Sequence, residues 1–204
     1  NPVIAASGVF GYGEEYTEVG DIGWFGAVSV KGTTLRPRYG NAPPRVCETP
    51  SGLLNSIGLE NPGAEVVIKE KLPWLAKFDV PIIVNISAES YEEFGEIAAL
   101  FADSPNVSAL EINVSCPNVS AGGLAFGTDS KSCHKVTEIV RRAWNGPLIV
   151  KLSPSVTSIV EIAKAAEDAG ADSVSLINTL VGMAIDIGTR KPILGNVKGG
   201  LSGP

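Results

Sequence analysis

The chain has few of the residues that build disulfide frameworks or metal sites. Its three cysteines, Cys47, Cys116 and Cys133, lie far apart without a Cys-x-x-Cys pair, and His134 is its one histidine. This pattern excludes a disulfide-stapled scaffold and a zinc site, and we predict no metal ligands. It fits a reducing, cytoplasmic setting. We predict structural roles for Cys47 and Cys133, and no catalytic role for His134.

Basic clusters and long apolar runs are also missing. The chain has 16 Lys and Arg against 22 Asp and Glu, a net charge of −6. Without a basic patch a nucleic-acid partner is not expected. No apolar run approaches the roughly 18 residues of a membrane span, and no secretory signal is visible, so no membrane partner is expected. Hydrophobic residues make up 44% of the chain, which is enough for a sizeable core.

Both ends of the chain indicate a longer polypeptide. The sequence opens without methionine, its one methionine is Met183, and it stops at Pro204 just after a glycine-rich stretch. A length of 204 residues favours one domain. We therefore expect a piece of a longer protein.

Six short apolar runs, several of them rich in Val and Ile, predict strands that are buried on both faces, as in a parallel sheet. Helical patterns lie between them, and the later strands end about 25–38 residues apart, as βαβ units require. The runs are 2–6, 27–30, 82–86, 109–114, 148–152 and 173–177. The predicted helix starts are Asn61 followed by Pro62, Ser90 with Glu93, Asp129, and Ser158 with Glu161, the last helix ending at Gly170.

Two architectures fit this order: a (β/α)8 (TIM) barrel and an open doubly wound sheet. Neither a G-x-G-x-x-G nor a G-x-x-x-x-G-K-[ST] motif follows the first strand, which weakens the nucleotide-binding open sheet. A complete barrel needs about 250 residues, so about six of its eight units would be present. The proline-rich stretch 32–61 is too long for an ordinary connection and predicts a lid or binding loop.

Polar residues stand at the ends of the apolar runs, where a barrel builds its active site. Lys31 and Lys151 would be costly there without a partner, so two lysines at one mouth indicate an anionic ligand. Asparagines such as Asn85 and Asn113 suit a heterocycle with alternating carbonyl and N–H groups. The alternative is that each lysine pairs with a buried carboxylate.

Cys116 follows one of these strands in a Pro-terminated loop between two asparagines. A thiol there could act as a base or nucleophile, because a cysteine pKa of about 8.5 can be lowered by its surroundings. The alternative is an inert core residue. The glycine-rich stretch 199–203 and the segment Ala6-Ser7-Gly8 could cradle a phosphate or a flavin edge with backbone N–H groups.

The motifs resemble those of the dihydroorotate dehydrogenases, and most closely those of class 1B, the NAD-linked catalytic subunits. They occur in family order over essentially the whole chain, and 122–129 after the cysteine loop agrees with them. The motifs are Ser29-Val-Lys-Gly-Thr-Thr34, Asn55-Ser-Ile-Gly-Leu59, Asn113-Val-Ser-Cys-Pro-Asn118, Val150-Lys-Leu-Ser-Pro154, Ile177-Asn-Thr179 and Gly199-Gly-Leu-Ser-Gly-Pro204.

The resemblance implies an FMN-containing TIM barrel that oxidises (S)-dihydroorotate to orotate in de novo pyrimidine (UMP) biosynthesis. Cys116 falls on the catalytic base that removes the C5 proton, while the C6 hydride passes to FMN. Lys151 would stabilise the anionic reduced flavin. The implied substrate contacts are Lys31, Asn55, Ser56, Ile57, Gly58, Leu59, Asn113, Asn178 and Thr179. The implied FMN contacts are Ser7, Lys31, Gly32, Asn85, Asn113, Lys151, Ile177 and Gly203.

The resemblance also implies a partner. Class 1B catalytic subunits form a homodimer flanked by two iron–sulfur subunits, each with FAD and a [2Fe–2S] cluster, that pass electrons to NAD. This chain has no four-cysteine set for such a cluster. Family members continue through two more βα units that hold the FMN phosphate. We therefore expect residues 1–204 to form one FMN-binding barrel domain without its extreme N-terminus and last units. Alone, it should bind FMN poorly and be unstable.

Three alternatives remain open. A class 1A, fumarate-linked dihydroorotate dehydrogenase differs in its electron acceptor, which the sequence does not give directly. A dihydropyrimidine dehydrogenase-type FMN barrel also uses a cysteine loop, but its substrate lacks the carboxylate. A non-catalytic, truncated barrel would serve only in binding or assembly.

Overall fold

The computed structural model describes residues 1–115, 117–118 and 124–203. Its strands form one parallel sheet of six strands, one antiparallel sheet of four and two short hairpins. In chain order the strands are β1 (Ile4–Ala5), β2 (Ala27–Ser29), β3 (Val46–Thr49), β4 (Gly52–Asn55), β5 (Ile82–Ile86), β6 (Ala109–Asn113), β7 (Pro117–Asn118), β8 (Leu124–Ala125), β9 (Leu148–Lys151), β10 (Ser173–Ser175), β11 (Leu180–Gly182), β12 (Ile185–Asp186), β13 (Lys191–Pro192) and β14 (Gly199–Ser202).

The parallel sheet has the order β1-β2-β5-β6-β9-β10, so each successive parallel strand lies beside the previous one. A doubly wound sheet would reverse its strand order at a switch point, whereas a barrel adds strands in one direction. The six predicted runs each contain one of these strands. The structure therefore confirms six consecutive strands of a (β/α)8 barrel, and the open-sheet alternative is wrong.

The predicted helices cover the outer face of this sheet. The side chains of Ser90, Asp129 and Ser158 each accept a hydrogen bond from the backbone N–H three residues later, which confirms three predicted helix starts. Gly170, at φ +98°, follows the end of the last helix as predicted. The helices are α1 (Ala64–Val66), continued by a π-helical turn (Val67–Lys71) into α2 (Leu72–Leu75), then α3 (Tyr91–Ala102), α4 (Ser130–Ala143) and α5 (Ile159–Asp168).

The core lies between these helices and the sheet. All five residues of β5 are buried, because α-helices cover one of its faces and the barrel interior the other. Phe94, Ile97 and Phe101 of α3 are completely buried against it, as their helical spacing predicts. Among the residues that the structure describes, no helix has the length and apolar character that a membrane crossing requires.

The predicted helix start at Asn61 is wrong by two residues, because Gly63 precedes the first helical residue, Ala64. Asn61 is buried and binds the long stretch before it instead. Its Oδ1 accepts hydrogen bonds from the N–H groups of Thr34 and Gly63, and its Nδ2 donates to Thr34 Oγ1. Asn61 therefore fixes both ends of the stretch 32–61 against the helix start.

The antiparallel sheet, in the order β11-β14-β4-β3, has no counterpart in the sequence prediction. The stretch 32–61 contains the hairpin of β3 and β4, and the glycine-rich stretch 199–203 forms β14 rather than a turn. Gly200 of β14 lies opposite Asn55 of β4 in the ladder. This pairing brings the two stretches together beside the carboxyl ends of the parallel strands.

Candidate functional site

A cavity of about 750 Å³ lies between the carboxyl ends of the parallel strands and the antiparallel sheet. Its volume is typical of small-molecule sites. Lys31 follows β2, Asn85 lies in β5, and Asn113 and Lys151 end neighbouring strands at opposite positions of the ladder. The antiparallel sheet supplies the facing wall, including Asn55 and residues of β14.

Most of the predicted ligand contacts line this cavity. Ile177 and Gly203 do not: Ile177 is 45% exposed, and Gly203 follows β14 and packs against Ser51 and Gly52. Cys116 lies outside the described residues. The predicted residues in the lining are Ser7, Lys31, Gly32, Asn55, Ser56, Ile57, Gly58, Leu59, Asn85, Asn113, Lys151, Asn178 and Thr179.

The two lysines face the cavity without a carboxylate partner in the described part of the chain. The ion pairs found there include neither Lys31 nor Lys151. Burial lowers the pKa of Lys31; Glu60 opposes this, while Arg45 and Lys151 lower the pKa further. The alternative of lysines neutralised by buried carboxylates is therefore wrong for these residues. None of the described lining residues is acidic.

Asparagines at the strand ends form a connected network. Asn113 Oδ1 accepts hydrogen bonds from Asn178 Nδ2 at 3.0 Å and from the Ser115 backbone N–H at 3.1 Å. Asn113 Nδ2 donates to Ser87 Oγ at 3.2 Å. Each amide nitrogen carries two hydrogens, so the nitrogens of Asn113 and Asn178 each keep one for a ligand carbonyl.

Two glycines of β14 allow its close approach to the site. A Cβ at Gly200 would lie 2.0 Å from Thr179 Oγ1, and a Cβ at Gly199 would lie 2.4 Å from the Asn55 carbonyl oxygen. Asn55 Nδ2 also donates to the Gly200 carbonyl oxygen at 3.3 Å. The absence of side chains at these positions thus brings the backbone of β14 against Thr179 and Asn55.

Ser56 is 8% exposed, and its Oγ has no hydrogen-bond partner in the part of the protein that the structure describes. Its backbone is fixed, because its N–H donates to the Arg45 carbonyl and its carbonyl accepts from Asn41 Nδ2. An orphaned buried hydroxyl in a cavity wall is available to a ligand.

A second cavity of about 480 Å³ shares Asn113, Thr179 and Gly200 with the first. Ser115 and Ser153 line its other side. Ser115 is the residue that precedes Cys116 in the chain. The shared wall places a second small-molecule volume beside the strand end that leads to the predicted base.

Sequence reasoning missed several residues of the site. Glu111 does not line the cavity but contacts the lining residue Asn85. It is a buried carboxylate in the middle of β6, and the prediction overlooked it because residues 109–114 were treated as one apolar run, although a charge inside such a run is itself a signal. Lys198 lines the cavity from the loop before β14, where no periodicity marks it. The other missed lining residues are Val9, Asn41, Val46, Leu53 and Asn196.

The described cysteines, Cys47 and Cys133, and His134 line neither of these two cavities. Cys133 is fully buried in α4, and burial raises its pKa to about 11, so it is a poor nucleophile. Cys47, in β3, donates to the Glu48 carbonyl oxygen. His134 lies on α4 in a shallow surface depression with Lys131 and Asp168. In the described residues, no three His, Cys, Asp or Glu side chains are grouped to hold a metal ion.

A family model described as dihydroorotate dehydrogenase matches residues 1–204. Over all 204 residues the chain is 55% identical to the dihydroorotate dehydrogenase B (NAD(+)) catalytic subunit of Geobacillus sp. strain WCH70. It is 54% and 53% identical to the catalytic subunits of the same name from Desulforamulus reducens and Bacillus cytotoxicus. The chain spans 65%, 67% and 66% of the lengths of these three relatives.

Proposed function

The chain belongs to the dihydroorotate dehydrogenase family, and we propose that the full-length protein oxidises (S)-dihydroorotate to orotate in de novo pyrimidine biosynthesis. One observation carries this proposal: a cavity with Lys31 and Lys151 free of carboxylate partners among the described residues and with an asparagine network at its floor. Such a site favours an anionic heterocycle with several carbonyl and N–H groups.

The cavity residues match the parts of dihydroorotate. The Lys31 ammonium pairs with the substrate carboxylate, and ligand binding raises the pKa of Lys31 again, because an opposite charge favours the protonated form. The free amide hydrogens of Asn113 and Asn178 donate to ring carbonyl oxygens. The Ser56 hydroxyl, which has no partner among the described residues, and the loop 55–59 contact the same ligand.

The residues present also fit FMN. The cavity volume suits a planar tricyclic ring with a substrate ring beside it, and Gly32 adds no side chain to the lining. Ser7, held by its hydrogen bond to the Val30 carbonyl, Asn85 and Lys151 would hold the flavin. When bound, FMN supplies the acceptor for the C6 hydride. The Lys151 ammonium would stabilise negative charge there. Ile177 and Gly203 belong to the proposal as contacts outside this cavity.

We propose Cys116 as the base. Its thiolate takes the C5 proton, the hydride leaves C6, and the C5–C6 double bond of orotate forms from the remaining electron pair. A lowered thiol pKa would favour this role, because the thiolate accepts the proton. The neighbouring Ser115 and Asn113 fix the end of β6, from which the chain continues to Cys116.

A partner subunit is part of the same proposal. The relatives are named catalytic subunits of NAD-linked enzymes, which supports a second subunit in their assemblies. We propose that electrons pass to NAD through an iron–sulfur subunit with FAD and a [2Fe–2S] cluster. We also propose a homodimeric core within a cytoplasmic heterotetramer.

Anaerobic mixing of the full-length protein with dihydroorotate tests the proposed reaction, with bleaching of the yellow flavin band as the signal. We expect rapid bleaching in the wild type and a rate lower by orders of magnitude in Cys116→Ser. Cys47→Ser is the matched control, since it makes the same change in β3, and its bleaching rate should stay that of the wild type. A colourless protein that takes up no FMN, or a yellow one that dihydroorotate does not bleach, would contradict the proposal.

A further inference from the structure

Glu111 is a buried charge that the proposed reaction does not use. It is 6% exposed and lies in the middle of β6. Its Oε2 accepts hydrogen bonds from Asn85 Nδ2 at 2.6 Å and from Ser29 Oγ at 3.0 Å, and its Oε1 accepts from Ser175 Oγ at 2.7 Å. Burying a carboxylate costs free energy even with such partners. Since Glu111 binds the lining residue Asn85, this cost indicates a functional role for Glu111.

The contact with Glu111 decides how the Asn85 amide is turned. A carboxylate only accepts hydrogen bonds, so the amide must present Nδ2 to it and Oδ1 elsewhere. A Cβ at Gly32 would lie 3.0 Å from Asn85 Oδ1, and both residues line the cavity. The carbonyl oxygen of Asn85 therefore faces the cavity wall at Gly32.

We propose that Glu111 is a positioning residue, which fixes the Asn85 amide so that its carbonyl oxygen accepts from the N–H group of the flavin ring. This inference rests on the proposed function, because it concerns bound FMN. A flipped amide would bring Asn85 Oδ1 to the place of Nδ2, 2.6 Å from a carboxylate oxygen, where two acceptors repel. Without Glu111 both orientations become accessible, and only one matches the flavin.

Two substitutions at Glu111 distinguish the effect of its hydrogen-bond acceptor from the effect of its negative charge. Glu111→Gln keeps an oxygen that accepts from Asn85 Nδ2, since the new amide can donate to the Ser175 hydroxyl. We expect FMN affinity within about threefold of the wild type. Glu111→Met has a similar volume but accepts no hydrogen bond, and we expect an FMN affinity about tenfold to a hundredfold lower. Because Glu111→Met leaves the donors of Asn85, Ser29 and Ser175 without this acceptor, we also expect a lower melting temperature, and the thermal melt shows whether the variant folds.

The measurements are a fluorescence titration of the FMN-free, full-length protein with FMN and a thermal melt of the same sample. Thr137→Val is the matched control: Thr137 is fully buried and donates to the Cys133 carbonyl within α4, away from the cavity. It should lower the melting temperature and leave FMN affinity unchanged. A purely structural role of Glu111 would give the same pattern for Glu111→Met.

A reciprocal exchange keeps the test decisive if Glu111→Met fails to fold. Asn85→Asp alone places its new carboxylate against that of Glu111, and it should lower FMN affinity about tenfold or more because the two repel. Asn85→Asp combined with Glu111→Gln restores a donor–acceptor pair, now with the donor on residue 111, and should recover affinity. Failure of this recovery, or equal FMN affinity of Glu111→Met and wild type, overturns the inference alone. A wild type that takes up no FMN overturns the proposed function and the inference with it.

Discussion

Asn113 and Asn178 are joined by a hydrogen bond of 3.0 Å that connects the end of β6 to the segment after β10. The two residues are 65 positions apart in the chain. The bond turns both amides toward the cavity, and the Thr179 backbone N–H donates to Asn178 Oδ1. The network thus sets the orientation of the donors that we assign to the substrate carbonyl oxygens.

Replacing the donor of this pair should weaken catalysis. In Asn178→Asp a carboxylate faces Asn113 Oδ1, so the donor is lost and two acceptors repel. We expect kcat/KM for dihydroorotate to fall about tenfold to a hundredfold, the effect of about 1–3 kcal/mol. The control is Asn145→Ala, an exposed asparagine before β9, which should change kcat/KM little. Unchanged kinetics of Asn178→Asp would remove Asn178 from the binding site.

Orotate binding should depend on pH through Lys31. Burial lowers the pKa of Lys31, so the ammonium that pairs with the orotate carboxylate is lost at a lower pH than for an exposed lysine. We expect orotate affinity, measured by calorimetry, to weaken as pH rises through this lowered pKa. Lys31→Met should bind weakly at every pH and lose this dependence. Lys69→Met, at an exposed ion pair with Glu65, should keep it.

The same lowered pKa should make the ligand-free protein more stable as pH rises, whereas orotate binding weakens. The unfolded chain binds a proton at Lys31 more readily than the folded chain does. The Lys31 contribution to the free energy of unfolding should therefore rise with pH between the lowered folded pKa and the ordinary value of about 10.4. Denaturant unfolding of the wild type and Lys31→Met over this range measures the difference, and parallel pH curves would contradict it.

Cys47 and Cys133 should react with a thiol reagent at different rates. Burial raises the pKa of Cys133 to about 11, and its side chain has no exposed surface. In the native protein at neutral pH, iodoacetamide should modify Cys47 at least about tenfold faster than Cys133, as mass spectrometry of the peptides would show. Both should react alike after denaturation. Rapid native labelling of Cys133 would mean that α4 opens readily.

A side chain at Gly200 should disturb the wall of the cavity. A Cβ there would lie 2.0 Å from Thr179 Oγ1, so Gly200→Ala must displace β14 or Thr179. We expect a free energy of unfolding lower by about 1–3 kcal/mol and a weaker orotate affinity. Gly188→Ala is the matched control, since a Cβ there meets only Asp186 Oδ1 at 3.4 Å. Equal stability of the two variants would contradict the close approach.

The parallel strands could be predicted because burial on both faces turns a strand into a continuous apolar run, as in Ile82–Ile86. The antiparallel sheet could not. Its strands are half-exposed, one begins with two glycines, and the pairing of Asn55 with Gly200 joins residues 145 positions apart. Neither periodicity nor local turn chemistry reports a contact of that separation.

The candidate site divides in the same way. Lys31, Asn113 and Lys151 could be predicted because a polar side chain at the end of an apolar strand is costly without a partner and therefore stands out in the sequence. Lys198 could not, because it enters the cavity from a loop whose position depends on the antiparallel sheet. Glu111 was concealed by its apolar neighbours in β6, although its charge is what makes it informative.

The pairing of β4 with β14 has a consequence for synthesis on the ribosome. β4 leaves the ribosome early, yet its neighbour on one side does not exist until the chain has grown by the 145 residues that separate Asn55 from Gly200. At about 5–20 residues per second this delay is roughly 7–29 s. During that time the hairpin of β3 and β4 presents an unpaired edge to the crowded interior of the cell. That edge is a binding site for a nascent-chain chaperone, and it persists until β14 is synthesised.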